Sequence, residues 1–411
     1  MKSFDRIALL AAVILVLIIG VVVWLSPEET DPTAEQTPSP VSETFIPLGP
    51  QAGDRPLRIL YSALDEQFRE QLYTVELNLS DFPSVTLSEP QQLTEAEQGV
   101  WDFSISPDSN QAVYSALNND RSSDLWVLPR PNDVDTSSND TSIQEQQYLL
   151  ACPEASCNSA KWSPDGRLVA LTRRSAANAS NTGGLSPPRL WLLDTVTGET
   201  AQVFVDTQTL GFSAQWSASS QWMSYLQPDD DGVNLYNLED GRTHFVETLT
   251  GETGAWHPTN DQLIVSRLEQ DEDQFWSYLI TINPTSPDEE FVQTLGTTTD
   301  DEKRNLEDNS PAWSPNGSQI AFRRREREGE RASQAKQLWL MNAETGATAP
   351  LTNAPEFDHG QPQWSPDGHY LLYHRFPLRG PDIVLSVWIL NVETGEQVEV
   401  ISPGQRPLWW P

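Results

Sequence analysis

The sequence predicts an all-β fold, a β-propeller of four-stranded antiparallel blades, preceded by an N-terminal transmembrane helix. Three observations carry this expectation. A five-residue turn motif headed by Trp recurs along the chain, its copies lie 40 to 57 residues apart, and one long apolar run stands near the N-terminus.

The apolar run comes first in the chain. Ile7 to Leu25 is nineteen residues without a polar side chain, about 28 Å of helix at roughly 1.5 Å per residue, which matches a bilayer core. Lys2 and Arg6 precede it, and Glu28, Glu29 and Asp31 follow. Positive charge stays inside, so residues 1–6 read as a cytoplasmic tip, 7–25 as a signal-anchor helix, and the rest as periplasmic or extracellular. The run ends in Val23-Trp24-Leu25-Ser26-Pro27, a poor cleavage site, so the anchor is expected to stay. Residues 26–55 are rich in Pro, Thr, Ser and Glu and read as a disordered spacer. Residues 56–411 are left for the propeller.

Three near copies define its repeat: Trp162-Ser163-Pro164-Asp165-Gly166, Trp313-Ser314-Pro315-Asn316-Gly317 and Trp364-Ser365-Pro366-Asp367-Gly368. Pro sets φ at the first central turn position, Asp or Asn folds back on the backbone, and Gly takes the left-handed conformation. A short alternating strand follows each turn, then a loop, then a strand with a central aromatic (Trp191, Trp339, Trp388) that ends in a Thr-Gly turn. That is a run of antiparallel hairpins. The leading Trp is expected to pack one blade on its neighbour.

Degenerate copies fill the gaps. Ile105-Ser106-Pro107-Asp108 keeps the turn without the Trp, whereas Trp216-Ser217 and Trp256-His257-Pro258 keep the Trp and vary the turn. The repeat length suits a four-stranded blade. At the chain ends, Arg58 to Ser62 and Gln71 to Leu77 read as the middle hairpin of a blade that lacks its Trp strand. Arg406-Pro407-Leu408-Trp409-Trp410-Pro411 reads as that missing strand. Closure by the C-terminus would cover two open sheet edges and makes seven blades, with six as the alternative.

These residues resemble the TolB-type propeller repeat, found also in the propellers of prolyl-oligopeptidase-like enzymes. The resemblance covers roughly residues 57–411. It implies the propeller fold and a family count of six blades. The separate N-terminal α/β domain of TolB has no counterpart in this sequence.

Composition narrows the function classes. A net charge of −34 repels phosphate backbones, so no nucleic-acid partner is expected. Cys152 and Cys157 either close a small disulfide loop in an oxidising compartment or remain free thiols. There is no Gly-x-Ser-x-Gly elbow, His-Glu-x-x-His pair or phosphate-binding Gly loop. His369 and His374 fall on opposite faces of a predicted strand, and all five His are expected to be structural or on the surface. Asp229-Asp230-Asp231-Gly232 reads as a hairpin tip. The acidic stretches 269–273 and 300–308 read as solvated loops, and the Arg cluster at 323–331, interleaved with Glu, as internally paired.

No catalytic residue, metal or cofactor is therefore expected. The reading is a membrane-anchored, non-catalytic scaffold that binds another envelope protein, a peptide or a glycan. The alternative is a propeller hydrolase or lyase with its site in the central funnel, which requires polar residues converging from several blades.

Overall fold

The computed structural model describes residues 56–411 except 121, 132–146, 176–184, 207, 272–273, 287–290, 297–298 and 381–382. They belong to one compact unit, 48–411. The expected anchor helix 7–25 and spacer 26–55 lie outside the described residues. Among the described residues no helix is long and apolar enough to cross a membrane.

The fold is nearly all β and propeller-like. Its first sheet is built from Leu57–Leu64 and Glu70–Asn78, with short outer strands Thr86–Leu87 and Gln91–Gln92. Its innermost strand is Gln405–Trp410, which pairs antiparallel with the first strand so that Ile59 faces Trp409 and Arg58 faces Trp410. An eight-stranded sheet follows. It consists of two four-stranded antiparallel blades, whose inner strands are Val100–Ile105 and Ala155–Trp162, joined by a parallel bridge between Ser123 and Ser156. Phe212–Trp216 opens a separate four-stranded blade. Ala255–Trp256 and Leu306–Trp313 head the halves of a second eight-stranded sheet, again bridged by a parallel pair, Ser277 with Glu307. In the last sheet the inner strand is split into Phe357–His359 and Gln363–Trp364.

The repeated turns close as their chemistry dictates. Ser163 donates to Asp165 Oδ1 at 2.5 Å and accepts from the Leu168 N–H at 2.9 Å. Ser314 with Asn316 and Ser365 with Asp367 repeat the arrangement. Gly166, Gly317 and Gly368 take φ between 72° and 76°. In the degenerate copies Ser109 and Ser220 hold the same left-handed place, with φ 59° and 60°. Beside these turns, at the same end of the blade, Asp194, Asn237, Asn342 and Asn391 each accept two backbone N–H groups through one side-chain oxygen.

The repeated Trp does more than fill the seam between blades. The indole N–H of Trp216 donates to Lys161 O at 3.0 Å, that of Trp313 to Ala255 O at 3.1 Å, that of Trp364 to Ala312 O at 3.0 Å and that of Trp409 to Gln363 O at 3.1 Å. Trp256 uses the Ser224 hydroxyl instead. Each bond runs to the preceding blade. Where Ile105 replaces the Trp, Ser104 fastens the next seam by donating to Ala160 O. The apolar clusters lie in these seams as well: Leu60, Leu72 and Trp410 of the first sheet pack on Phe103, Tyr114 and Leu128 of the next.

Candidate functional site

The inner strands surround a cavity of about 810 Å³. Its wall follows two columns of the repeat. One residue before the Trp stand Lys161, Gln215, Ala255, Gln363 and Leu408. Three residues before the Trp, or before Ile105, stand Asp102, Ser213, Thr253, Ser310, Gln361 and Arg406.

The second column sits on a backbone irregularity. Ser159, Ser213, Ser310 and Arg406, each three residues before a Trp, have φ between 50° and 57°, and the strand register slips beside each of them. A bulge of this kind turns a backbone N–H out of the ladder. Ser159 N–H donates to Asp102 Oδ2 at 2.6 Å, Ser213 N–H to Thr172 Oγ1 at 3.1 Å, and Ser310 N–H to Glu252 Oε1 at 3.2 Å. Two carboxylates at the cavity are thus oriented by the blade that follows them.

Asp102 also accepts from Ser115 Oγ at 2.5 Å. Burial raises its pKa, against the lowering effect of both hydrogen bonds and of the Lys161 and Arg406 charges. Lys161 moves the other way: burial lowers its pKa, and the neighbouring Asp102 charge only partly offsets this. Both residues touch solvent through the cavity and are walled by protein elsewhere. Among the described residues the Lys161 side chain makes no hydrogen bond or ion pair. Arg406 is different. Its Nε donates to Ser62 Oγ at 3.2 Å, its Nη1 donates to Trp101 O, and Glu70 Oε1 lies 2.5 Å from its Nη2, so it is a fixed positive charge.

A second cluster approaches from later blades. Burial raises the pKa of Glu252, with the Lys336 and Arg323 charges opposing. Arg323 pairs with Asp358 at 3.0 Å. His374 reaches the cavity through the split inner strand, where a Cβ on Gly360 would lie 2.3 Å from its ring. Burial, then the Arg323 charge, lowers its pKa. Beneath, Arg324 holds buried Asp308 through two 2.7 Å bonds.

Of the five His, His374 is the one that lines the cavity among the described residues, admitted by a gap in the neighbouring strand. His369 lies exposed at a turn. Of the repeat residues singled out in the sequence, Trp216 and Trp256 line the cavity as well as sealing seams. Ile105, Trp162, Trp313, Trp364 and Trp409 hold seams only. Asp165, Gly166, Gly317, Asp367 and Gly368 build the turns. Cys152 and Cys157 are joined by a disulfide, which ties the loop before the strand that carries Lys161 to Cys157 on that same strand. Among the described residues no three His, Cys, Asp or Glu side chains converge to hold a metal ion.

No family model matches the chain. A stretch of 104 residues is 28% identical to the uncharacterized peptidase YuxL of Bacillus subtilis (strain 168), covering 25% of this chain and 15% of that protein. The chain thus spans a small part of this curated relative. Among solved structures, an acylaminoacyl peptidase from Pyrococcus horikoshii overlaps with a TM-score of 0.53 at 12% identity, over 84% of this chain and 51% of that one. An oligogalacturonate lyase in complex with manganese overlaps with a TM-score of 0.51 at 14% identity, over 85% of each chain. TolB from Acinetobacter baumannii overlaps with a TM-score of 0.47 at 13% identity, over 86% of this chain and 67% of that one. The first two of these structures establish a shared propeller fold.

These findings correct the expectation of a non-catalytic scaffold. The curated relative is a peptidase, and the fold is shared with a lyase and a peptidase. The sequence motifs missed this because the cavity's ionisable groups come one from each of several strands. Such a set has no linear signature. It becomes visible only when the repeats are aligned on their Trp, where Lys161 is the one charged residue in its column.

Proposed function

We propose that this chain is a propeller enzyme that breaks a bond in an anionic polymeric substrate by elimination within the central cavity. The observation that carries the reading is the pair Asp102 and Lys161, on adjacent blades and facing one cavity. The acid's pKa is raised and the amine's lowered, so their proton affinities are drawn together. Neutral Lys161 takes a proton from the substrate, and protonated Asp102 supplies one to the leaving group. The fixed charge of Arg406 favours a substrate carboxylate nearby. A fold shared over 85% of both chains with an oligogalacturonate lyase supports a uronate polymer as substrate.

Hydrolysis of a peptide bond is the second reading, favoured by the stretch shared with the peptidase. Turnover assays with oligogalacturonate, followed by ultraviolet absorbance of the unsaturated product, and with chromogenic peptides separate the two. Loss of turnover in K161A and D102N is expected. No turnover of either class by the intact chain would defeat the proposal.

The finer architecture belongs to the same proposal. Seven blades are supported by the number of inner strands around the cavity and by closure through Gln405–Trp410. Anchoring by residues 7–25, with the propeller outside the cytoplasm, is supported by the charge pattern around that run. Protease digestion of intact cells or spheroplasts tests it, since a cytoplasmic propeller would stay protected.

A further inference from the structure

The chain contains four lysines, Lys2, Lys161, Lys303 and Lys336, against twenty-one arginines. Where it pairs a charge below the surface it uses arginine, as in Arg324 with Asp308 and Arg323 with Asp358. Lys161 departs from that habit. It faces the cavity without a hydrogen-bond or ion-pair partner among the described residues. Its main-chain oxygen is held by the Trp216 indole. An arginine there would be permanently charged, whereas a lysine can shed its proton and present a nucleophilic amine.

We infer that Lys161 is a covalent capture site for small carbonyl compounds, 2-oxo acids in particular, which it binds as an imine at Nζ. The neutral amine attacks the carbonyl carbon, forming the C–N bond while the π electrons move to oxygen. That oxygen takes a proton from the nitrogen and gives a neutral carbinolamine. Protonated Asp102, held by Ser115 and the Ser159 N–H, donates a proton to the hydroxyl. The C–O bond breaks, water leaves, and the nitrogen returns a proton to Asp102. Amine and carbonyl become imine and water, with no oxidant or reductant. The fixed Arg406 charge, which also acts on Asp102, favours a carboxylate next to the carbonyl. Imine formation cleaves no bond of a polymeric substrate, so it stands or falls apart from the proposed turnover.

The test is reductive trapping on the intact chain. The protein is incubated with pyruvate and sodium borohydride, digested, and mapped by mass spectrometry. Burial favours the neutral amine at Lys161, and general acid catalysis by Asp102 contributes about a hundredfold, so the adduct at Lys161 should exceed that at Lys303 several-fold or more. K161R should abolish it, and D102N should slow trapping at Lys161 by about a hundredfold. Equal labelling of Lys161 and Lys303, or none at Lys161, overturns the inference. The wild-type site ratio decides even if either variant misfolds.

Discussion

The indole N–H of Trp216 donates to the main-chain oxygen of Lys161 at 3.0 Å, so a seam residue of one blade fixes a cavity residue of the blade before it. Trp216→Phe keeps most of the packing and removes the donor. The carbonyl is then left unpaired at a cost of about 1–2 kcal/mol, read as a lowered midpoint in chemical denaturation. Activity should fall further than stability does, because Lys161 loses its tether. An unchanged midpoint would show that the bond contributes packing alone.

The pH dependence of turnover carries the sign of the Lys161 shift. Burial lowers its folded-state pKa and Asp102 raises it part of the way back. Activity that needs the neutral amine should rise with pH, with the rise centred below the ordinary lysine value. Where Asp102 is ionised it favours the ammonium, so in Asp102→Asn the rising limb should move to lower pH, while loss of the proton donor lowers the maximum rate. Lys161→Arg preserves the charge and should remove the rising limb with the activity. A rising limb that stays in place in D102N would disconnect the two groups.

Acid stability should report His359. Its ring is fully buried, stacked on Tyr373 with Nδ1 near Lys336 O, and burial lowers its pKa to about 4. Between the ordinary value of 6.5 and about 4 the unfolded chain binds the proton and the folded chain does not. Stability therefore falls as pH falls through this window and stops falling below it. The loss from this group is on the order of 3 kcal/mol. Denaturation of His359→Phe at several pH values should show that part of the slope removed, even if the variant is less stable at pH 7.

The C-terminal strand should be indispensable. Trp410 has no exposed surface and its indole donates to Ser109 O at 2.8 Å, while Arg130 bonds to both Pro56 O and Trp410 O. Deleting Arg406 to Pro411 removes a strand, a seam Trp and the cavity's fixed cation together. Loss of a cooperative melting transition is expected. A truncated chain that melts as the full chain does would show the first sheet to be complete without it.

The turns and seams were legible in the sequence because one local rule repeats there. Ser, Asp and Gly at fixed offsets close the same hairpin, and the Trp ahead of them is conspicuous. Closure by Trp409 could be read from the likeness of Gln361-Pro362-Gln363-Trp364 to Arg406-Pro407-Leu408-Trp409, which share the Pro and the Trp two residues after it. The cavity was not legible in this way. Asp102, Lys161, Glu252, His374 and Arg406 are spread over some three hundred residues, and the ring brings them together. His374 is not on an inner strand at all. Its admission depends on Gly360, and nothing in a single repeat announces that partnership.

Because the strands that begin and complete the first sheet run side by side, with Arg58 opposite Trp410, the ring of blades has no structural beginning. Joining Pro411 to Pro56 by a short linker and opening the chain at a turn between blades gives a circular permutant with the same seams and the same cavity wall. The place where synthesis starts is then a property of the gene. The stability of the ring depends on its seams, wherever the chain is cut.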